Sequence, residues 1–225
     1  MSGRKETHKI ISAIYINESY LITRTPVLYM ELLNNNIPQR YSWFCFSTCH
    51  IYALVATLYF SCKQPLLKIV GGFMVGLFVT SFMYWKKPVD YSFAHRVDKV
   101  MVYASIIYNS YATYYTSKLV FTIWIVVICV CGIVYSTNEV LYYYQVCRPN
   151  NLLKSNPKFK IQKYKNFKHK CVFQKYFSIE PTWYGTKERE FAYYRYIITH
   201  GLGVHLFTGG IAGITIAVIC LLTEI

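Results

Sequence analysis

Acidic residues are scarce in this chain: 10 Asp and Glu stand against 24 Lys and Arg, and charged residues make up only 15% of the whole. A soluble domain carries nearer a quarter. With 54% of residues hydrophobic, an ordinary water-facing surface is excluded. The apolar residues run together instead of forming the stripe of a surface helix, so they ask for hydrocarbon or other helices on all sides.

Catalytic signatures are missing too. There is no phosphate-binding glycine loop, no GxSxG elbow, no HExxH and no CxxC pair. The eight cysteines show no paired ligand spacing, and Cys45, Cys49, Cys129 and Cys220 lie inside apolar runs, where thiols behave as small hydrophobes. No cleavable signal peptide is expected, because the apolar patch at 10–16 meets Asn17 and Glu18 without a small-residue cleavage site. That patch reads as an interfacial segment.

What is present is a series of long apolar runs, at 42–62, 66–85, 119–136 and 196–222. Each approaches the roughly 20 residues a helix needs to cross a bilayer. A fifth run, 100–116, is interrupted by Ser105, Asn109, Ser110 and Thr113. Charge decides its status. If it crosses, every basic residue except Lys63, Lys68 and Lys118 falls on one side of the membrane, which is the positive-inside signature.

The predicted fold is therefore all-α, a polytopic transmembrane bundle of about five spans with a cytoplasmic N-terminus. It divides into a cytoplasmic arm (1–41), four spans (42–136), a basic cytoplasmic loop (137–195) and a fifth span with the C-terminus (196–225). On that topology the sequon at Asn17 stays unglycosylated and Cys147 and Cys171 stay reduced.

Small-residue pairs at Gly72/Gly76 and Gly209/Gly213 predict close helix contacts within the bundle. Polar residues Asp98, Ser105, Asn109 and Thr116 fall near one face of the third span, which predicts a buried helix. His50, Thr57 and Ser61 form a similar stripe on the first span, and the two stripes are expected to hydrogen-bond each other. Many of the 23 tyrosines lie near membrane boundaries, as interfacial anchors do.

In the basic loop, Lys158, Lys160, Lys163, Lys165, Lys168 and Lys170 alternate with Phe159, Ile161, Tyr164 and Phe167. The pattern suits anionic lipid headgroups, with the aromatics dipping into the interface. Nucleic acid is the disfavoured partner, since no RNA-binding module surrounds the segment. Protein partners are also expected to meet this loop, and the lysines enforce topology in any case.

The topology brings Ser81, His95, Asp98, His200 and His205 to one membrane depth. Ionisable groups at that depth are candidates for function, and imidazoles with a carboxylate could hold zinc and acidify a bound water. The serine near the end of one span, the aspartate opening the next, and a final-span stretch THGLGVHLFTGG (199–210) resemble the alkaline ceramidase and progestin-receptor-like superfamily of membrane hydrolases. The resemblance implies a zinc site of three histidines, with Ser81 and Asp98 assisting hydrolysis of lipid amides or esters and His200 and His205 as the final-span ligands. Three departures stand beside it.

The histidine expected four residues after the serine is Trp85, leaving His95 as the substitute ligand. Five spans stand where the family has seven. The final histidines are five apart, which on a regular α-helix turns them roughly 140° from each other. A bulge at Gly201 or Gly203 would bring them back together.

The leading expectation is a multi-pass membrane protein with a structural or interaction role. The zinc-dependent hydrolase is the alternative, and a small transporter using the polar stripe around Asn109 is a third.

Overall fold

The computed structural model describes residues 37–89, 92–155, 171–182 and 187–223. Among them every regular element is helical. The lysines from Lys158 to Lys170, the patch at 10–16 and Asn17 lie outside the described residues.

The first span is a nearly continuous rod, α1 (Gln39–Thr48) and α2 (His50–Ser61), jointed at Cys49. α3 (Pro65–Lys86) returns across the bundle, with Pro65 in its first turn, where the missing N–H would go unused in any helix. α4 (Phe93–Thr116) opens on Ser92, whose side chain accepts a hydrogen bond from the His95 N–H. Ser117 caps α5 (Lys118–Tyr142) in the same way, through the Val120 N–H.

α5 widens into a π-helical turn (Tyr143–Cys147) and continues as α6 (Arg148–Ser155). A short α7 (Val172–Tyr176) precedes the final rod, which is α8 (Lys187–His200), a π-helical segment (Gly201–Ala212) and α9 (Gly213–Leu222).

Four rods, Gln39–Ser61, Pro65–Lys86, Lys118–Asn151 and Lys187–Leu222, are long and apolar enough to cross a membrane. α4 falls short in hydropathy but not in length: its 24 residues extend ~36 Å, more than the hydrocarbon core. It is joined to α3 and α5 by short connections and packs against both, so it runs the full height between them. Thr116 Oγ1 donates to Gln64 Oε1 at 2.7 Å, tying the α4–α5 turn to the α2–α3 turn at one end. At the other end Arg40 Nη2 lies 3.4 Å from Glu190 Oε1. The described basic residues gather at that second end, Lys63, Lys68 and Lys118 excepted, as loop charge alone required.

Helix lengths differ from the hydropathy boundaries where polar side chains find protein partners. α5 runs on past 136, and the final rod begins at Lys187 instead of 196. Asn138 Nδ2 donates to the Tyr196 carbonyl at 3.0 Å, and the Tyr196 hydroxyl donates to Glu139 Oε1 at 2.6 Å. Gln145 Nε2 donates to the Ser178 carbonyl. These groups discourage a lipid-facing reading of the sequence, yet Asn138, Glu139 and Tyr196 sew α5 to α8, and Gln145 ties the turn beyond α5 to the stretch after α7.

The core has two parts. Around Tyr59, Leu67, Val70, Trp124 and Ile216 it is mostly aliphatic. Toward the basic end it turns aromatic, with Tyr41, Tyr84, Trp85, Tyr142, Tyr193 and Tyr196. Glycines of the last rod bring it onto the first: a Cβ on Gly209 would sit 2.1 Å from the Tyr52 ring, and one on Gly213 would sit 2.8 Å from Val55. Gly76 meets Met101 of α4 in the same manner, whereas Gly72 faces open space. The Gly209/Gly213 pair therefore packs within the molecule, as does one of the two glycines of the other pair.

Two packing expectations change. α4 is not buried all round: Ser105, Asn109, Ala112 and Thr113 face inward, while Tyr103, Ile107, Tyr111 and Tyr114 face out. Nor do the polar stripes meet. His50 Nδ1 contacts the Ser47 carbonyl, Thr57 donates to Leu54 O and Ser61 to Thr57 O, all on their own exposed helix face. A hydroxyl in an apolar setting takes the nearest carbonyl of its own helix before a distant partner.

Candidate functional site

The site lies where the aliphatic and aromatic parts of the core meet, and it is built from α1–α2, α3, α4 and the π-helical segment. Ser81, near the end of α3, donates its hydroxyl to Asp98 Oδ1 at 2.6 Å, and Thr80 donates to the same oxygen at 3.0 Å. A carboxylate placed among helices is held by whatever donors face it, and two adjacent hydroxyls on α3 serve. Asp98 thus bonds across to α3 instead of capping its own helix, the role Ser92 takes.

His200 and His205 converge. Their ring centroids are 5.2 Å apart at 85°. The cause is the π-helical segment beginning at Gly201, since residues five apart lie one above the other when the hydrogen bonds run i to i+5. Thr208 reports the same register, donating to the Gly203 carbonyl five residues back at 2.9 Å. Close packing favours the wide turn here: Cβ atoms on Gly201, Gly203 and Gly210 would crowd Phe44, Val134 and Ile51.

Trp85 stands against both histidines, its ring centroid 5.0 Å from that of His200 and 6.1 Å from that of His205. It is one turn along α3 from Ser81 and faces the final-span pair. An indole offers no lone pair to a metal. His205 is further committed, because its Nδ1 shares a 2.7 Å hydrogen bond with Thr48 Oγ1, with Cys49 Sγ at 3.9 Å. Tyr52 packs edge-on to the His205 ring at 5.5 Å.

His95 is half-buried one turn before Asp98 and stacks on Tyr84 with centroids 4.7 Å apart. Tyr84 in turn lies against Trp85 at 4.8 Å. The five residues expected together do share one neighbourhood, but as two subsets: Ser81 with Asp98, and His200 with His205, with Trp85 against the pair.

Among the described residues no three His, Cys, Asp or Glu side chains gather as a metal-ligand group. The zinc set expected of His95, His200 and His205 is not gathered among them: His95 stacks on Tyr84, while His200 and His205 stand together against Trp85. Thr48, Tyr52 and Trp85 were invisible as site residues in the sequence. A threonine or an indole inside an apolar run carries no signal until its neighbour across the bundle is known.

Comparison with protein-family models, curated proteins and solved structures finds no match.

The chemistry open to this arrangement is accordingly that of a polar lock. Asp98 ties α4 to α3, His205 ties the last rod to α1, and the aromatic rings fill the space between. In a bilayer, where helices gain little from apolar contact with one another, such interhelical bonds of about 1 kcal/mol each select one packing. Along the inward face of α4 the lock is less complete: Ser105 Oγ, Tyr108 Oη and Asn109 Nδ2 are buried without a hydrogen-bond partner.

Proposed function

We propose that this chain is a structural and interaction component of its membrane, and that it pairs with a second copy of itself through the outward face of α4. One observation carries the reading. Val100, Tyr103, Ile107, Tyr111 and Tyr114 all point away from the bundle and are at least half exposed. Their spacing of three and four residues is that of a seam against a partner helix.

Two further points support it. α4 is the one full-length helix too polar to qualify as a span by itself, so protein cover on its outer face would compensate. The hydroxyls of Tyr103 and Tyr111, which make no hydrogen bond within the described residues, would be unsatisfied against lipid tails. A second copy suits them, because a tyrosine hydroxyl both donates and accepts and a two-fold axis sets each stripe against itself.

In the same reading the positive-inside rule puts the basic end in the cytoplasm. Residues 148–195 and their lysines then face anionic headgroups and any cytoplasmic protein partner.

Oxidative cross-linking in membranes tests the pairing. Ile107→Cys is expected to give a disulfide-linked dimer above the wild-type background, while Leu54→Cys, also more than half exposed but on another helix, is not. Equal yields from both, or none from Ile107→Cys, would remove the proposal.

A second reading, a lipid amide or ester hydrolase, has one observation in its favour, the 2.6 Å contact between Ser81 and Asp98. Turnover of a lipid amide by the purified protein, abolished in Ser81→Ala, would install it. A wild-type protein inert toward lipid amides and esters would dismiss it.

A further inference from the structure

Arg195 lies on α8 and is 4% exposed. Its Nη1 donates to the Tyr176 carbonyl at 3.1 Å, and the Tyr176 ring lies 5.9 Å from the guanidinium carbon. The Tyr176 hydroxyl bonds Thr199, one turn further along α8. The chain from 171 to 180 thus straps across Arg195 and holds one corner of its head group.

The other corner is unpaired. Nε and Nη2 are both buried and neither has a hydrogen-bond partner. These two N–H groups lie side by side on one edge of the guanidinium and form the parallel fork that grips a carboxylate or phosphate with two bonds. Among the described residues no carboxylate answers these two atoms of Arg195. A buried cation with an intact, unused fork is expensive unless an anion completes it.

The surroundings say which anion. Tyr194, next to Arg195 in the chain, is exposed, as a tyrosine at headgroup level is. The strap that covers it turns Val172, Phe173, Phe177 and Ile179 outward, an exposed apolar face on a stretch outside the spans. Such a face enters the boundary between headgroups and acyl chains. The sequence leading into the strap carries six lysines from Lys158 to Lys170, a charge that favours anionic ligands.

We infer that Arg195, clamped by Tyr176, is a binding site for a phosphate group, supplied by the headgroup of an anionic lipid. The fork takes two phosphate oxygens, and the outward strap residues sit among the acyl chains. The site is separate from the Ser81–Asp98 and histidine clusters and does not depend on how α4 pairs.

Native mass spectrometry of the full chain in maltoside micelles, which contribute no phosphate, tests it. Dioleoyl phosphatidic acid should be retained in preference to dioleoylglycerol. Arg195→Lys keeps the charge but removes the fork, and should weaken retention roughly tenfold or more. Replacing the six lysines by glutamine should slow loading but preserve the contrast between Arg195 and Lys at this position.

Glycerol 3-phosphate separates the sources. If it is bound as tightly as the lipid, the phosphate site stands with a soluble ligand; if only the lipid is held, the headgroup is the source. Equal retention by wild type and Arg195→Lys, or no preference of the wild type for either phosphate compound, would overturn the inference. Both comparisons survive if the more severe Arg195→Gln fails to fold.

Discussion

Replacing Gly209 by valine should lower stability in detergent by about 3 kcal/mol or more, toward the upper end for forcing extra atoms into a packed core. A Cβ at this position would lie 2.1 Å from Tyr52 Cε1, and the ring's Cδ1 and Cζ are at 2.9 and 3.1 Å, so one rotation of the ring does not clear the space. Tyr52 is itself buried and packs on His205, which holds Thr48. Displacing it would spread through the whole junction of the first and last rods. Tyr52→Ala in the same chain should absorb the clash, leaving the double variant no less stable than Tyr52→Ala alone. Such strong non-additivity is the mark of direct contact. Thermal melts of the four proteins, followed by tryptophan fluorescence, decide it; additive losses would mean that the rods do not approach at this glycine.

The same region shows how far the residue order alone could be followed. The Gly209/Gly213 spacing pointed to a close helix contact because a missing side chain is itself a geometric statement. An interval of five sets His200 and His205 apart on a regular helix, and the glycines beside them marked where a bulge could bring them together; the π-helical segment does so. That Ser81 and Asp98 lie at one depth was legible from topology, since they stand near the connected ends of neighbouring helices; the 2.6 Å bond between them needed the packed bundle. Loop charge, not hydropathy, revealed α4 as a full-length element, and its 24-residue helix agrees.

Other features were opaque for physical reasons. Composition distinguishes a polar face from an apolar one but not which side a tyrosine-rich helix turns outward, so α4 read as buried. Trp85 beside the histidine pair depends on α3 rotating by the amount its core residues Leu77 and Tyr84 demand, a property of the packed bundle. Arg189 and Arg195 read as solvated charges of a basic loop, because most arginines are. Their burial follows from α5 and α8 continuing beyond the apolar runs and meeting each other outside them.

That meeting point leads to the other large effect. Arg189→Met should cost about 3–5 kcal/mol, as expected when a buried, fully engaged cation is removed and its partners are left behind. Arg189 Nη2 donates to Asn150 Oδ1 at 2.8 Å, Nη1 reaches the carbonyls of Thr182, Val146 and Gln145 at 3.2, 3.4 and 3.5 Å, and Nε donates to the Tyr193 hydroxyl at 3.2 Å. Two of those carbonyls belong to the π-helical turn after α5, and that of Gln145 also accepts from the Thr182 N–H and hydroxyl, so the guanidinium binds into a junction where the turn, Thr182 and α8 meet. Methionine fills the volume but donates nothing, and lysine cannot fan its donors over the same set of acceptors, so Arg189→Lys should recover only a minor part.

Arg40 is the control: its pair with Glu190 is 3.4 Å long with side chains 68% and 47% exposed, and Arg40→Met should change stability by no more than about 1 kcal/mol. Two arginines at the same end of the bundle thus differ severalfold in effect for one reason, that solvent can replace the partners of Arg40 and cannot reach those of Arg189. Equal losses in the two melting curves would show that the α5–α8 junction is wet, and that the carbonyls beneath Arg189 are satisfied by water instead.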